Sequence, residues 1–323
     1  MRSAWLCLAG AALLLGDLTS ALAEGVAAAV KTIVDGTPHQ ALFAVALDGD
    51  QGIAVGAAGQ VMLTRDGGST WRPSKQSGAT ALSLLGVTQR KGLRIAVGQS
   101  GLVMVSRDGD VWQRIDPVTP ERLFAVSSSD AGKIVAVGAF GTVILSADEG
   151  RSWRSIAPPD VAQYSDQGAE PHLYAVSVSN NGVVTVAGEF GLILRTQDDG
   201  AHWSLVHKGV ASLFALDLPA AGPGYAVGQT GTILRSDNGG QTWVDVPSAS
   251  QANLLGVSAS PGGKAIVTAM DSVLVSDDTG AHWRPVNWGD FGSSWYSGVQ
   301  FLDSQPTAAI LVGHAGRILR MNP

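Results

Sequence analysis

Tryptophan recurs at nearly constant intervals through most of this 323-residue chain. Six tryptophans are separated by 41, 41, 50, 40 and 40 residues, and most of them close a phrase of the type Ser/Thr-x-Asp-x-Gly-x-Ser/Thr-Trp. They are Trp71, Trp112, Trp153, Trp203, Trp243 and Trp283, and only the phrase before Trp112 is one residue shorter. A period of about 40 residues is typical of repeat architectures, in which each repeat forms one supersecondary unit.

Two further phrases recur ahead of the tryptophans. One is a short apolar run such as Leu42–Val45, and the other is a Val-Gly-x-x-Gly phrase such as Val55–Gly59. Both occur in seven copies, of which the sixth glycine phrase is degenerate. Short apolar runs bounded by glycine turns predict strands. With three strands before the tryptophan turn and one after it, the sequence predicts an all-β, seven-bladed β-propeller with four-stranded antiparallel blades.

The last unit ends before its own fourth strand. A segment of strand length at residues 28–34 precedes the first unit. We expect this N-terminal strand to pair with the last unit and close the ring, because closure removes the exposed edges of a linear stack. The predicted propeller is a single domain over residues 24–323.

The first 23 residues have the organisation of a secretory signal peptide. Arg2 precedes an apolar run over residues 4–15, and Ala21-Leu22-Ala23 is a small-x-small cleavage site. A run of 12 residues is too short to span a bilayer. The only cysteine, Cys7, lies in this segment, so the mature chain would have no thiol or disulfide. We expect export and cleavage, with a retained membrane anchor as the alternative.

Composition excludes several functional classes. Charged residues make up 15% of the chain and the net charge is −6, whereas nucleic-acid binding needs a clustered basic surface. His202 and His282 each occupy a Ser/Thr position of the turn phrase on different units, and no other residues show metal-ligand spacing. We therefore expect no metal and no cofactor.

The turn phrase itself has a structural interpretation. Its carboxylate can accept backbone N–H groups across the turn, and its glycine takes the left-handed conformation. The positions are Asp66, Asp108, Asp148, Asp198, Asn238 and Asp278. Asn238 shows that the position requires a hydrogen-bond acceptor rather than a charge. The six tryptophans are expected to pack between blades, so we assign these residues a structural role.

The phrase resembles the Asp-box, or bacterial neuraminidase repeat. The longer pattern Val-Gly-x-x-Gly-x-Ile-Leu-Arg-Ser/Thr-x-Asp/Asn-x-Gly-x-x-Trp, most complete around residues 192–203 and 232–243, is similar to that of the photosystem II stability/assembly factor family over roughly residues 25–323. The resemblance implies a non-enzymatic propeller of the thylakoid lumen or periplasm that binds a membrane subunit and assists assembly. Because many members of the family accompany transporters, the resemblance implies either a reaction-centre subunit or an envelope transporter as the client.

The resemblance also implies partner-binding arginines on the third strand of the blades. The matching residues in this sequence are Arg195, Arg235 and Arg320. The other four blades carry Leu63, Val105, Leu145 and Val275 at this position. Three of seven blades therefore match the family pattern.

A glycan-binding or sialidase-like glycosidase propeller is the alternative function, since Asp-box proteins include such enzymes. A glycosidase needs paired carboxylates, or a tyrosine nucleophile with an acid and an arginine cluster. The mature chain holds five glutamates and lacks the Arg-Ile-Pro signature expected near the start of a sialidase. The sequence thus favours a protein that is not an enzyme.

Two units are longer than the others because of insertions at residues 164–172 and 288–295. Strand order predicts one face that carries the glycine hairpins, the connections between blades and both of these insertions. We expect aromatic residues on this face to contact a protein partner, with two polar residues at the mouth of the axis. The aromatic residues are Trp288, Phe291, Trp295, Tyr296, Phe140 and Phe190, and the polar residues are Glu189 and His314. We expect a monomer that does not insert into the membrane after signal cleavage.

Overall fold

Seven four-stranded antiparallel sheets form a closed β-propeller in the computed structural model, which describes residues 29–165 and 168–323. The predicted signal peptide lies outside the described residues. Within those two ranges, no helix is long and apolar enough to span a bilayer. The predicted fold, blade number and strand count are confirmed.

Each of blades 1 to 6 consists of four consecutive strands, ordered from the axis outwards. Blade 1 contains β2 Leu42–Asp48, β3 Gln51–Gly56, β4 Val61–Thr64 and β5 Arg72–Pro73, and blade 2 contains β6 Leu84–Arg90, β7 Leu93–Gly98, β8 Val103–Ser106 and β9 Gln113–Ile115. Blade 3 contains β10 Leu123–Ser128, β11 Ile134–Gly138, β12 Val143–Ser146 and β13 Arg154–Ser155, and blade 4 contains β14 Leu173–Val178, β15 Val184–Gly188, β16 Ile193–Thr196 and β17 Ser204–His207. Blade 5 contains β18 Leu213–Asp217, β19 Gly224–Gly228, β20 Ile233–Ser236 and β21 Val244–Val246, and blade 6 contains β22 Leu254–Ala259, β23 Ala265–Ala269, β24 Val273–Ser276 and β25 Arg284–Pro285.

Blade 7 joins the two ends of the described chain. It contains β26 Tyr296–Leu302, β27 Gln305–Gly313, β28 Ile318–Asn322 and, as its outermost strand, β1 Ala29–Val34. Strands β1 and β28 are antiparallel, with Val30 opposite Met321 and Thr32 opposite Leu319. The predicted closure by the N-terminal strand is confirmed.

The core lies between neighbouring blades. The second strand of each blade is buried along most or all of its length because both faces of its sheet are covered by adjacent sheets. Blades 3 and 4, for example, share a cluster that contains Val135, Val143, Val184 and Leu194. Strands buried on both faces explain the short continuous apolar runs in the sequence.

Glycine is required where the hairpin between the second and third strands approaches the connection that enters the blade. A Cβ at Gly188 would lie 2.2 Å from the His172 carbonyl oxygen. The next residue, Glu189, donates its backbone N–H to that same oxygen at 3.0 Å. This contact fixes the hairpin against the connection and recurs on most blades.

Candidate protein-binding face

One face of the ring, which we name the hairpin face, carries the hairpins between second and third strands together with the connections between blades. Backbone bonds join the two kinds of segment, as between Gly209 N–H and the Phe190 carbonyl at 2.8 Å and between Gly231 N–H and the Ala252 carbonyl at 2.8 Å. The tryptophan turns lie at the other end of the strands, where Gly67 N–H reaches the Asp50 carbonyl. The two faces are therefore built from different segments of each repeat.

The axis opens on the hairpin face into a cavity of about 470 Å³. Its wall contains the same position of the first strand from every blade, one residue after the leading residue of the strand. These residues, which we name the axial ring, are Phe43, Leu85, Phe124, Tyr174, Phe214, Leu255 and Ser297. The ring was not predicted from the sequence, although a large apolar residue in six of the seven copies of this position was a visible signal.

Aromatic side chains from blades 3, 4 and 5 are in contact at this opening. The rings of Phe124 and Tyr174 are 5.2 Å apart between centroids, and those of Tyr174 and Phe214 are 5.4 Å apart. His172 lies between this row and Phe140, with its ring 4.9 Å from that of Phe140 and 6.1 Å from that of Phe124. His172 was also missed from the sequence, because it lies in the long connection to blade 4 and belongs to no repeated phrase.

Phe140 stands at the tip of its hairpin in an unusual backbone conformation. Its side chain is 54% exposed, and its φ is 52°, in the left-handed region that bulky residues rarely adopt. Its N–H donates to His172 Nδ1 at 3.0 Å, which holds the imidazole beside the ring. Phe190 has the same conformation, with φ of 58°, but it is half-buried against the core of blades 3 and 4.

The Glu189 carboxylate connects Tyr174 and His172 behind the axial opening. Its Oε1 accepts a 3.1 Å hydrogen bond from the Tyr174 hydroxyl, and its Oε2 accepts the His172 N–H at 2.9 Å. Burial, together with the neighbouring carboxylate, raises the pKa of Tyr174 to about 12. Tyr174 is therefore a neutral hydrogen-bond donor at physiological pH.

On the other side of the opening, Trp295 is half-buried between blades 7 and 1. It stacks on Phe43 with 5.9 Å between centroids, and it meets His314 edge-on at 6.2 Å. Trp295, His314, Phe140 and Glu189 thus all lie at the predicted face and near the axis or its rim.

Two residues of the predicted aromatic set lie in the interior rather than at the surface. Phe291 is 2% exposed and Tyr296 is fully buried, and their rings pack 5.4 Å apart in the core of blades 6 and 7. Asp290 holds this loop inwards, because its carboxylate accepts the Tyr296 hydroxyl at 2.9 Å and pairs with Arg317. The expectation that Phe291 and Tyr296 face a partner is corrected: they fill space between blades, and Trp288 packs half-buried against them.

The three predicted arginines do not lie on the hairpin face. Arg195 donates through Nη2 to the Gly239 carbonyl at 3.2 Å, in the tryptophan turn of the next blade. Arg320 reaches Ser69 in the turn of blade 1 and also bonds Gln305. Arg235 pairs with Asp237 at 2.8 Å. The arginine set and the aromatic set therefore belong to opposite faces and cannot form one site.

The tryptophan turns share their hydrogen bonds at the Asp or Asn position but not at the indole, since Trp203 donates to the Ile156 carbonyl at 3.0 Å and the Trp283 indole N–H has no partner among the described residues. In the first copy, Asp66 Oδ1 accepts the Thr70 N–H at 2.9 Å, Thr64 Oγ1 accepts the Gly68 N–H at 3.1 Å, and the Trp71 indole N–H donates to the Gly68 carbonyl at 3.2 Å. The carboxylate or amide oxygen of the equivalent residue accepts in the same way in the other copies, which contain Asp108, Asp148, Asp198, Asn238 and Asp278.

The two turn histidines belong to this network. His202 Nδ1 and His282 Nδ1 lie 2.7 Å and 2.6 Å from the second carboxylate oxygen of Asp198 and Asp278. The turns of blades 1, 3 and 5 have the hydroxyls of Thr70, Ser152 and Thr242 at this position. In the part of the chain that the structure describes, no group of three or more His, Cys, Asp and Glu side chains is placed to hold a metal ion.

Comparison with known proteins agrees with the repeat pattern. The sequence model of the photosynthesis system II assembly factor YCF48 family matches residues 27–179. This part of the chain, somewhat under half of its length, is similar to that family. The resemblance to photosystem II assembly factors that the repeated phrases indicate is confirmed, while no curated protein matches the chain.

Solved structures show how widely the fold is shared. A structure of YCF48 bound to D1 peptide is similar with a TM-score of 0.71 and 17% identity, covering 93% of this chain and 96% of that one. YCF48 from Cyanidioschyzon merolae gives 0.72 and 19%, covering 91% and 99%. The RRP9 WD40 repeats also give 0.72, at 8% identity, covering 91% and 97%. At these identities the likeness establishes the propeller fold alone.

Proposed function

We propose that this chain is an exported, non-enzymatic assembly factor that binds a peptide segment of a membrane-complex subunit on its hairpin face. The observation that carries the proposal is the aromatic opening of the axis, where Phe124, Tyr174 and Phe214 line a cavity of about 470 Å³. Aromatic side chains in a concave apolar site are the usual anchors of a protein interface.

The comparisons support a peptide as the ligand. The matching family is one of assembly factors, and one solved relative is a YCF48 bound to D1 peptide. A rigid ring that presents loops on a preformed face suits transient capture of a flexible segment, because the ring itself needs no ordering on binding. The client in this proposal is a reaction-centre subunit, with an envelope transporter as the alternative client.

The proposal includes export by the N-terminal segment and a site of action in the periplasm or thylakoid lumen. The protein acts as a monomer and contacts membrane complexes through their exposed segments rather than by inserting into the bilayer. The exposed apolar side chains of Phe140 and Met270 on the hairpin face, both about half exposed, fit contact with a protein segment.

Site-specific crosslinking in native host membranes tests the proposal. A photo-reactive residue replaces Phe140 on the hairpin face, and the matched control replaces Val244, which is 59% exposed on an outer strand. We expect a membrane-complex subunit to be captured from position 140 and not from position 244. Capture of a transporter would reassign the client. Capture only by probes beside Arg195 and Arg320 would move the site to the other face, and capture of no protein, with glycans retained, would overturn the proposal.

A further inference from the structure

The residues that line the axial opening on the hairpin face limit the kind of peptide segment that can bind there. Its aromatic residues are concentrated on blades 3, 4 and 5, with Phe43 opposite them, while Leu85 and Leu255 complete the wall. A cavity of about 470 Å³ lies in the lower half of the range for ligand sites, so it suits a short piece of chain.

The hydroxyl groups of the axial ring are already used within the protein. The Tyr174 hydroxyl donates to Glu189, and the Ser297 hydroxyl donates to the Phe43 carbonyl at 2.9 Å. A sugar would need hydrogen-bond partners at this wall to replace its bound water. The ring therefore favours an apolar side chain over a glycan.

One cation stands at this opening. Arg122 lines the cavity, is exposed, and has no hydrogen-bond or ion-pair partner for its guanidinium among the described residues. Glu189 is the nearby acid, but both of its oxygens accept hydrogen bonds from Tyr174 and His172. Glu121, the neighbour of Arg122 in the chain, does not line the cavity. The opening thus offers one unpaired positive charge beside an aromatic wall.

We propose that the axial opening binds an extended peptide segment that places an aromatic or large aliphatic side chain within the axial ring and an adjacent carboxylate on Arg122. The inference rests on the proposed function and specifies its ligand. Guanidinium groups bind carboxylates through paired, charge-assisted hydrogen bonds, and Phe124 and Phe214 offer ring edges and faces to an incoming aromatic side chain. Phe140, on the rim, extends the apolar contact beyond the cavity.

Fluorescein-labelled Gly/Ser peptides provide the probe, each with one central pair of residues: Phe-Asp, Phe-Asn, Phe-Lys or Ser-Asp. Fluorescence anisotropy with the purified protein measures their dissociation constants. We expect Phe-Asp to bind best, with Phe-Asn weaker by about three- to fivefold, as for a partly exposed ion pair, and with Ser-Asp weaker than both. Equal binding of all four peptides, or none by any, would overturn the inference.

Variants test whether Arg122 and Phe214 are responsible for the peptide selectivity. Arg122→Gln should bind Phe-Asp and Phe-Asn equally, and Arg122→Glu should reverse the preference towards Phe-Lys. Phe214→Ser should reduce the advantage of Phe-Asp over Ser-Asp. The matched control is Arg65→Gln, which removes an exposed arginine from a tryptophan turn on the opposite face and should change nothing. Unaltered melting temperatures confirm that each variant is folded, and an unchanged charge preference in Arg122→Glu would contradict the inference.

The two proposals fail in different ways. If position 140 captures a membrane subunit but no peptide binds the axial opening, the proposed function stands and the inference is wrong. If Phe-Asp peptides bind with the predicted selectivity but no subunit is captured from host membranes, the opening is a peptide site and the assembly role is wrong.

Discussion

Lys31 lies directly opposite Arg320 across the two strands that close the ring. Lys31 belongs to β1, the outermost strand of blade 7, and Arg320 belongs to β28, so the two residues lie where the two ends of the described chain meet. Lys31 is exposed, and Arg320 also bonds Gln305 and Ser69. Like charges that face each other across an antiparallel pair are destabilising, so the closure contains a local electrostatic cost.

Lys31→Glu should therefore stabilise the protein. The substitution replaces a repulsive pair by an attractive one, and we expect a gain of about 0.5 kcal/mol in the free energy of unfolding. Urea denaturation at low salt measures the gain, which should shrink at about 1 M salt because exposed charges are screened. Lys31→Gln, which only removes the repulsion, is the control. A Lys31→Glu protein less stable than Lys31→Gln would show that Arg320 does not sense the charge at position 31.

Glu189→Ala should destabilise the protein at the axial opening. It removes the acceptor for both the Tyr174 hydroxyl and the His172 N–H, and we expect a loss of about 2 kcal/mol in unfolding free energy. Tyr174→Phe keeps the aromatic contacts and the bond to His172, so it should cost less than half as much. Chemical denaturation of the two single variants and the double variant measures both effects and their coupling. Equal losses in the two single variants would mean that the His172 bond contributes nothing.

The blades could be predicted from the sequence because the signals for them are local and repeated. Glycine hairpins, apolar runs and tryptophan turns occur seven or six times, and each copy fixes its own strand boundaries. Closure was predictable for the same reason, since only one unit lacked a fourth strand. The pairing of Thr32 with Leu319 then follows from geometry rather than from any sequence similarity between the two strands.

The interior contacts of the long loops could not be predicted in this way. The inward position of Phe291 depends on Asp290, which pairs with Arg317 from a distant part of the chain, and no repeat contains that contact. The axial ring presents a different difficulty. Phe43 lies where the pairing with the next strand shifts register between Leu42 and Ala44, and this irregularity breaks the alternation from which the direction of a side chain could be read in the sequence.

Asp148→Ala should make the turn of blade 3 less stable at neutral pH and less sensitive to acid. Hydrogen bonds from the Ser152 hydroxyl and N–H lower the pKa of Asp148 to about 2. A carboxyl pKa below its unfolded value of 3.8 stabilises the folded protein above about pH 4, and this contribution is lost as the pH falls from about 4 to about 2. Melting temperatures measured from neutral to strongly acid pH should converge for wild type and variant at the acid end.

Asn238 supplies the matched comparison for that experiment. Because Asn238 Oδ1 accepts the Thr242 N–H at 3.0 Å in its own turn, Asp148→Asn should retain most of the neutral-pH stability that Asp148→Ala loses. Asp116→Ala, which removes an exposed carboxylate outside the tryptophan turns, should leave the melting temperature unchanged. If Asp148→Asn were as unstable as Asp148→Ala at neutral pH, the turn would require the charge and not only an acceptor.

Asp217 should have the opposite dependence on pH. It is the last residue of β18, the innermost strand of blade 5, and it lines a cavity of about 520 Å³ together with Val257 and Phe301. Burial there raises the pKa of Asp217 to about 6. Among the described residues, the Asp217 carboxylate makes one hydrogen bond, in which it accepts the Ala259 N–H at 2.7 Å. Because the folded pKa exceeds the unfolded value of 3.8, ionisation of Asp217 destabilises the fold, and stability is lost as the pH rises from about 4 to about 6.

Asp217→Asn removes that ionisation while keeping an acceptor for Ala259. We expect it to raise the unfolding free energy at neutral pH by about 1 kcal/mol, less than the full shift in pKa implies because the side chain is only partly buried, and to have no effect at about pH 4. Urea denaturation at both pH values measures the difference. The control is Asp303→Asn, since exposed Asp303 also accepts a backbone N–H, from Gly49 at 3.3 Å, and it measures the effect of the same substitution at the surface. A gain of equal size at both pH values would mean that the amide packs better than the acid, and that Asp217 is ionised at little cost.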